Sequence, residues 1–216
     1  MDHNKILGVV LAGGKSQRFG EDKSQVKLHG KILIDYILSE IIDQFEEILI
    51  VTNNEIKFKF SKKISITKDL IEGVGPLGGI LTAMKWIKKN NKNYKWISTF
   101  PSDTPFFTKN ELQIFYKKID IQKSKLFFIK NKQTRHNIFG LWSLDLMEKL
   151  DNDLRKGERK VEVWADTTGV EIINIEFKKK DPFFKSLSNF SIKSIDQRPN
   201  ILCLVFLFLI KNNLLF

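Results

Sequence analysis

The chain has 216 residues, 42% of them hydrophobic, which suits one domain with a full core. Its one cysteine, Cys203, excludes an internal disulfide and a cysteine-based zinc cluster, and with no basic-then-apolar leader the expectation is a cytoplasmic protein without a membrane span. The net charge of +11 comes mostly from scattered lysines (31 Lys against 5 Arg), which reads as solvated faces rather than a nucleic-acid footprint, yet favours anionic ligands.

The apolar run over 6–11 is short enough for a buried parallel strand. Ala12, Gly13 and Gly14 then remove side chains where the strand ends, so the backbone turns sharply and a ligand can approach its N–H groups. Lys15, Arg18 and Lys23 follow, with Gly20 as a further pivot; bare backbone donors beside cations suit a polyphosphate. The spacing fits neither G-x-x-x-x-G-K-[ST] nor G-x-G-x-x-G.

Residues 25–28 are expected to be brief and partly extended. Ile34, Ile37, Leu38, Ile41, Ile42 and Phe45 carry the period of an amphipathic helix. Residues 48–51 predict a second buried strand, broken by Thr52, Asn53 and Asn54; residues 64–66 predict a weaker third, which runs out at Lys68 and Asp69. Gly73, Gly75 and Pro76 precede a helical face of Leu77, Ile80, Leu81, Met84 and Ile87, Pro76 standing where a helix can begin. Gly78 and Gly79 in that first turn each cost roughly 1 kcal/mol of helix propensity relative to Ala. Close approach of a ligand to a bare helix N-terminus would justify them; tight packing of the joint on the sheet is the other reading.

A fourth strand over 96–100 ends at Pro101-Ser102-Asp103-Thr104-Pro105, which puts Asp103 at a strand's carboxyl end, where open α/β sheets bind ligands and where a carboxylate suits Mg²⁺ on substrate phosphates. A cap on the next helix is its alternative role, with Thr108 competing for it. A helix over 111–119, a hairpin of strands over 126–129 and 138–142, a helix over 144–150, a short helix around Val161, Val163 and Trp164, and a strand over 170–177 complete the pattern. Strands alternating with helices predict a Rossmann-like α/β sheet, mixed because of the hairpin. His136 is open to both structural and catalytic readings.

The stretch L-A-G-G-x-x-x-R-F-G-x-x-K resembles the signature of the sugar-nucleotide and cofactor nucleotidyltransferases. Lys68-Asp69, Gly75-Pro76-Leu77-Gly78-Gly79, Ser102-Asp103-Thr104-Pro105-Phe106, Arg135-His136 and Gly157-Glu158-Arg159-Lys160-Val161 make the chain similar to the molybdenum cofactor guanylyltransferases over roughly 6–184. The resemblance implies a three-layer sandwich of the nucleotide-diphospho-sugar transferase type and transfer of GMP from GTP to molybdopterin. It implies nucleotide contacts at Leu11, Ala12, Gly13, Gly14, Lys23, Asp69 and Asp103, with Val51 or Asn53 at a loosely matched further position. It also implies Mg²⁺ on Asp103, and Arg18, Lys23 and Asp103 as the catalytic group. With it, Arg135, Arg159 and Lys160 become candidate cations for an anionic acceptor. GTP and molybdopterin are the expected partners, with molybdoenzyme apoproteins or their chaperones beyond them, and the expected state is a monomer.

One domain is expected over 1–184. Residues 185–216 depart from the resemblance, lacking an Asn-x-Asn-Thr-type segment and carrying ten consecutive apolar residues over 201–210. A frameshifted or read-through tail, a divergent buried helix and a weak membrane anchor are the readings. Competing functions are another nucleotidyltransferase using CTP or a sugar phosphate, a catalytically impaired nucleotide-binding homologue, and a basic nucleic-acid binder.

Overall fold

The computed structural model describes residues 5–13, 27–28, 31–55, 61–71, 73–104, 107–131 and 134–175. Gly14, Arg18, Lys23 and the atypical C-terminal stretch lie outside these residues.

In chain order the elements are β1 (Ile6–Leu11), β2 (Lys27–Leu28), β3 (Lys31–Ile32), α1 (Leu33–Ile41), β4 (Ile48–Val51), β5 (Ile64–Thr67), α2 (Pro76–Lys89), β6 (Trp96–Pro101), α3 (Lys109–Lys118), β7 (Leu126–Asn131), β8 (Thr134–Ser143), α4 (Met147–Arg155) after a 3-10 turn, α5 (Val161–Thr168) and β9 (Glu171–Asn174). Seven strands form the central sheet in the order β5-β4-β1-β6-β8-β7-β9. Only β8 runs against its neighbours, so the sheet is mixed and mostly parallel, as the hairpin pattern implies.

Side chains alternate across the sheet and divide the core into two layers. Ile6 and Val10 of β1 join α1 and α3 on one face. Leu7 and Val9 join α2, α4 and α5 on the other. The result is a three-layer α/β sandwich.

Several details differ from the periodicity, among them the helix expected over 144–150, which is a 3-10 turn followed by a helix that runs to Arg155. α1 stops at Ile41, because residues 42–44 turn. Phe45 is nevertheless in the core, where its ring covers Gly8 so closely that a Cβ there would meet Phe45 Cδ2 at 2.9 Å. In α5 the buried residues are Val161, Trp164 and Ala165, while Val163 faces outward. The hairpin strands are longer than their apolar runs, since pairing extends to Asn131 and Thr134 whatever their polarity.

Candidate active site

Strand register gathers the predicted residues. Leu11 is level with both Val51 and Pro101, and Val51 is level with Thr67. Gly13, Asn53, Asp69 and Asp103 each stand two residues beyond that level. Four sequence-distant loops therefore leave the same edge of four adjacent parallel strands, at the same height. This is the edge at which parallel α/β sheets bind ligands.

At the end of β1 the backbone donors are only partly available. Ala12 N–H donates to Val51 O at 2.9 Å, which continues the sheet, and Ala12 O accepts from the buried Thr52 hydroxyl at 3.2 Å. Leu11 O accepts from Ser102 N–H at 3.3 Å. Gly13 is exposed, and a Cβ built there would meet nothing within 4 Å. The exposed part of the loop thus begins at Gly13, one residue later than the start of the Ala12-Gly13-Gly14 stretch. Of the two positions weighed at the end of β4, Val51 is buried in the core and Asn53 is exposed.

Asp69 is at the centre of a connected network. Its N–H donates to Asn53 Oδ1 at 2.9 Å. Its Oδ1 accepts from Ile71 N–H at 3.2 Å and from the Thr82 hydroxyl at 2.9 Å. The Thr82 oxygen in turn accepts Leu70 N–H at 3.0 Å. Thr52 and Thr82 are the residues that sequence reasoning missed. Thr52 follows an apolar strand directly, and Thr82 is a hydroxyl amid the continuously buried residues 77–84 of α2. That interruption was the available signal.

Gly78 and Gly79 answer to packing rather than to ligand approach. A Cβ on Gly78 would lie 2.3 Å from Val74 Cγ2 and 3.1 Å from Ile71 O; one on Gly79 would lie 3.0 Å from Leu11 Cδ2. Both are buried, and their lack of side chains seats the first turn of α2 against the ends of β1 and β4. The exposed Gly75 does the turning, with φ 72°.

Asp103 lies in the turn after β6 and is half-buried. Capping of α3 belongs to Thr108, whose N–H donates to Glu111 Oε2 at 3.0 Å and whose hydroxyl also bonds that carboxylate. The capping role considered for Asp103 is therefore filled by another residue. Among the described residues no group of three or more His, Cys, Asp or Glu gathers to hold a metal ion. A single carboxylate is nonetheless a fitting protein ligand for Mg²⁺, which keeps several waters and takes much of its shell from substrate phosphates.

The beginning of antiparallel β8 reaches the same sheet edge, but its cation is engaged. Arg135 Nη1 donates to Asp166 Oδ1 at 2.5 Å, Nη2 lies 3.4 Å from Glu162 Oε1, and Nε donates to Asn137 Oδ1 at 2.7 Å. Hydrogen bonding from Arg135 holds the Asp166 carboxyl below the usual range. Arg159 Nη1 donates to Leu154 O at 2.7 Å and Glu158 O at 2.6 Å, closing the C-terminal end of α4. Both arginines thus have hydrogen-bond partners within the fold. Lys160 precedes α5; its N–H and that of Arg159 keep Glu158 below the usual carboxylate range. His136 packs its ring edge-on against Phe139, the centroids 6.3 Å apart.

No helix among the described residues is long and apolar enough to cross a membrane. The molybdenum cofactor guanylyltransferase of Haemophilus influenzae is 30% identical over 186 residues, covering 85% of this chain and 93% of that protein. The enzyme of that name from Nitrobacter hamburgensis is 25% identical over 182 residues, covering 83% and 87%. The crystal structure of an Aquifex aeolicus protein superposes with a TM-score of 0.65 at 25% identity, covering 78% of this chain and 86% of its own. The family model for the MobA-like NTP transferase domain matches residues 8–168, and the chain belongs to that family of nucleotidyltransferases.

Proposed function

We propose that this enzyme transfers GMP from GTP to molybdopterin and releases pyrophosphate. The observation that carries the reading is the near full-length similarity to molybdenum cofactor guanylyltransferases. The common height of Gly13, Asn53, Asp69 and Asp103 supports it, because one nucleotide can then touch all four loops.

The acceptor's terminal phosphate oxygen attacks the α-phosphorus of GTP in line, the new P–O bond forms, and the bond to the pyrophosphate oxygen breaks. The attacking acceptor phosphate is already ionised near neutral pH, so no side chain has to take a proton or act as nucleophile. Leu11, Ala12, Gly13, Gly14, Asn53 and Asp69 hold the nucleotide in this reading. In this reading Arg18 and Lys23 are the cations that stabilise negative charge moving toward the leaving group. Asp103 holds the divalent ion, for which Mg²⁺ is proposed; when bound it neutralises phosphate charge. Lys160 remains as the acceptor-side cation. Molybdoenzyme apoproteins or their chaperones receive the product, the acting species is a monomer in the cytoplasm, and residues 1–184 form the transferase domain.

Purified protein incubated with Mg²⁺, molybdopterin and each of the four nucleoside triphosphates tests this. Pyrophosphate and a guanine dinucleotide should form with GTP alone. Product formation with CTP instead would assign another nucleotidyltransferase; GTP binding without pyrophosphate release would assign an impaired homologue.

A further inference from the structure

Asp69 can contact a nucleotide only where its loop lets it stand. Ile71 and Val74 anchor the later part of that loop to the core, while Leu70 beside Asp69 is 63% exposed. The Asp69 end is held by hydrogen bonds. Asn53 holds the Asp69 N–H from the β4 side, and Thr82 holds the carboxylate from the α2 side. Thr82 is 1% exposed, on the face of α2 that is packed into the core. Its hydroxyl is used in both directions, donating to Asp69 Oδ1 and accepting from Leu70 N–H. With Ile71 N–H also on Oδ1, the rotation of the carboxylate is fixed, and Oδ2 takes part in none of these bonds. Gly78, one helical turn before Thr82, brings the helix so close that its missing Cβ would lie 3.6 Å from Asp69 Oδ1.

We infer that Thr82 is a positioning residue for the nucleotide site, holding the Asp69 carboxylate so that Oδ2 meets a hydrogen-bond donor of GTP, either a ribose hydroxyl or an N–H of the base. This rests on the proposed function, in which Asp69 touches the nucleotide. Thr82 acts through Asp69 and never contacts the ligand. The prediction is therefore a loss in GTP affinity that depends on Asp69, with little change in turnover once GTP is bound.

A double-mutant cycle on the full chain tests it, with GTP affinity read by calorimetry, KM and kcat by pyrophosphate release, and folding by thermal melting. Thr82→Val should weaken GTP binding and raise KM about tenfold, the loss of one charge-assisted hydrogen bond, with kcat within about twofold. Thr82→Ser, which keeps the hydroxyl, should restore affinity. In an Asp69→Ala background, Thr82→Val should cost no further affinity. If Asp69→Ala weakens GTP binding but Thr82→Val does not, or the two losses add in full, the positioning role is overturned and the nucleotide reading stands. If Asp69→Ala leaves GTP binding unchanged, that reading of Asp69 fails and this inference falls with it. Should Thr82→Val not fold, Thr82→Ala against Thr82→Ser makes the same comparison. Repeating the cycle with 2′,3′-dideoxyGTP separates the donors, since a ribose contact removes the Thr82 effect and a base contact keeps it.

Discussion

The two halves of the sheet use polar residues in opposite ways. In β5-β4-β1-β6, hydrogen bonds donated by Thr52 and Thr82 and accepted by Asn53 shape loops and leave Gly13 and Asn53 exposed at a common edge. In β8-β7-β9, the conspicuous charges are consumed internally: Arg135 ties β8 to α5, and Arg159 closes α4. An arginine at the right edge of a sheet is thus no evidence of ligand binding until its partners are known. The first half presents chemistry, and the second holds helices in place.

Replacing Asp103 should break this contrast most sharply. Asp103→Asn keeps the size and removes the charge that a divalent ion needs. Turnover should fall about 10²- to 10³-fold, the scale expected when one group stabilising developing charge is lost, while the melting temperature stays within a few degrees. Pyrophosphate release and a melting curve measure both; unchanged turnover would remove Asp103 from the mechanism.

Gly78→Ala probes the border between loop shape and packing. Alanine gains about 1 kcal/mol of helix propensity. Its Cβ, however, would lie 2.3 Å from Val74 Cγ2 and 3.1 Å from the carbonyl of Ile71. Overpacking of this kind costs typically about 1–3 kcal/mol, so the clash should win and the variant be the less stable. Because the displaced atoms belong to the loop that carries Asp69, GTP affinity should fall as well. A stabilised variant whose GTP affinity nevertheless falls would restore the ligand-approach reading of this glycine.

Arg135→Ala should lower stability alone, by about 1–2 kcal/mol through loss of its charge-assisted bonds, and leave GTP affinity unchanged. Denaturant unfolding alongside calorimetry separates the two effects. A variant of normal stability that no longer accepts molybdopterin would return Arg135 to the acceptor site.

What was legible in the sequence follows the same division. β1 and β4 fall on the predicted residues because each is an apolar run cut off by Gly or Asn, a wholly local signal. The positions of Asp69 and Asp103 could be expected at strand ends for the same reason. The Thr82–Asp69 bond could not, because it joins residues thirteen apart through a turn whose path depends on Gly75 and Gly78. Nor could the engagement of Arg135, whose partner Asp166 is thirty-one residues away on another element. Periodicity also overran α1, since Ile42 and Phe45 keep the apolar spacing after the backbone has turned.

The smallest expected effect concerns acid. Arg135 holds the Asp166 carboxyl below the usual range, so its folded-state pKa lies under the value of about 3.9 for an unfolded chain. A group depressed in this way stabilises the fold above its unfolded pKa and loses that contribution as pH falls through the folded one. Asp151 and Asp153 are lowered too, chiefly by bonds from Lys85 and Lys149, so the acid sensitivity of the whole protein cannot be assigned to one residue. The difference between wild type and Asp166→Asn can. It should be constant from about pH 7 to 5 and shrink below about pH 4, as Asp166 takes up its proton and the two proteins come to carry the same charge there. Asp166 is 54% exposed in its side chain, and solvent screening keeps the difference small. Melting temperatures across this range measure it. A difference that stays flat through this range would mean that the α5 clamp does not depend on the Asp166 charge, and that Glu162 carries the pair with Arg135.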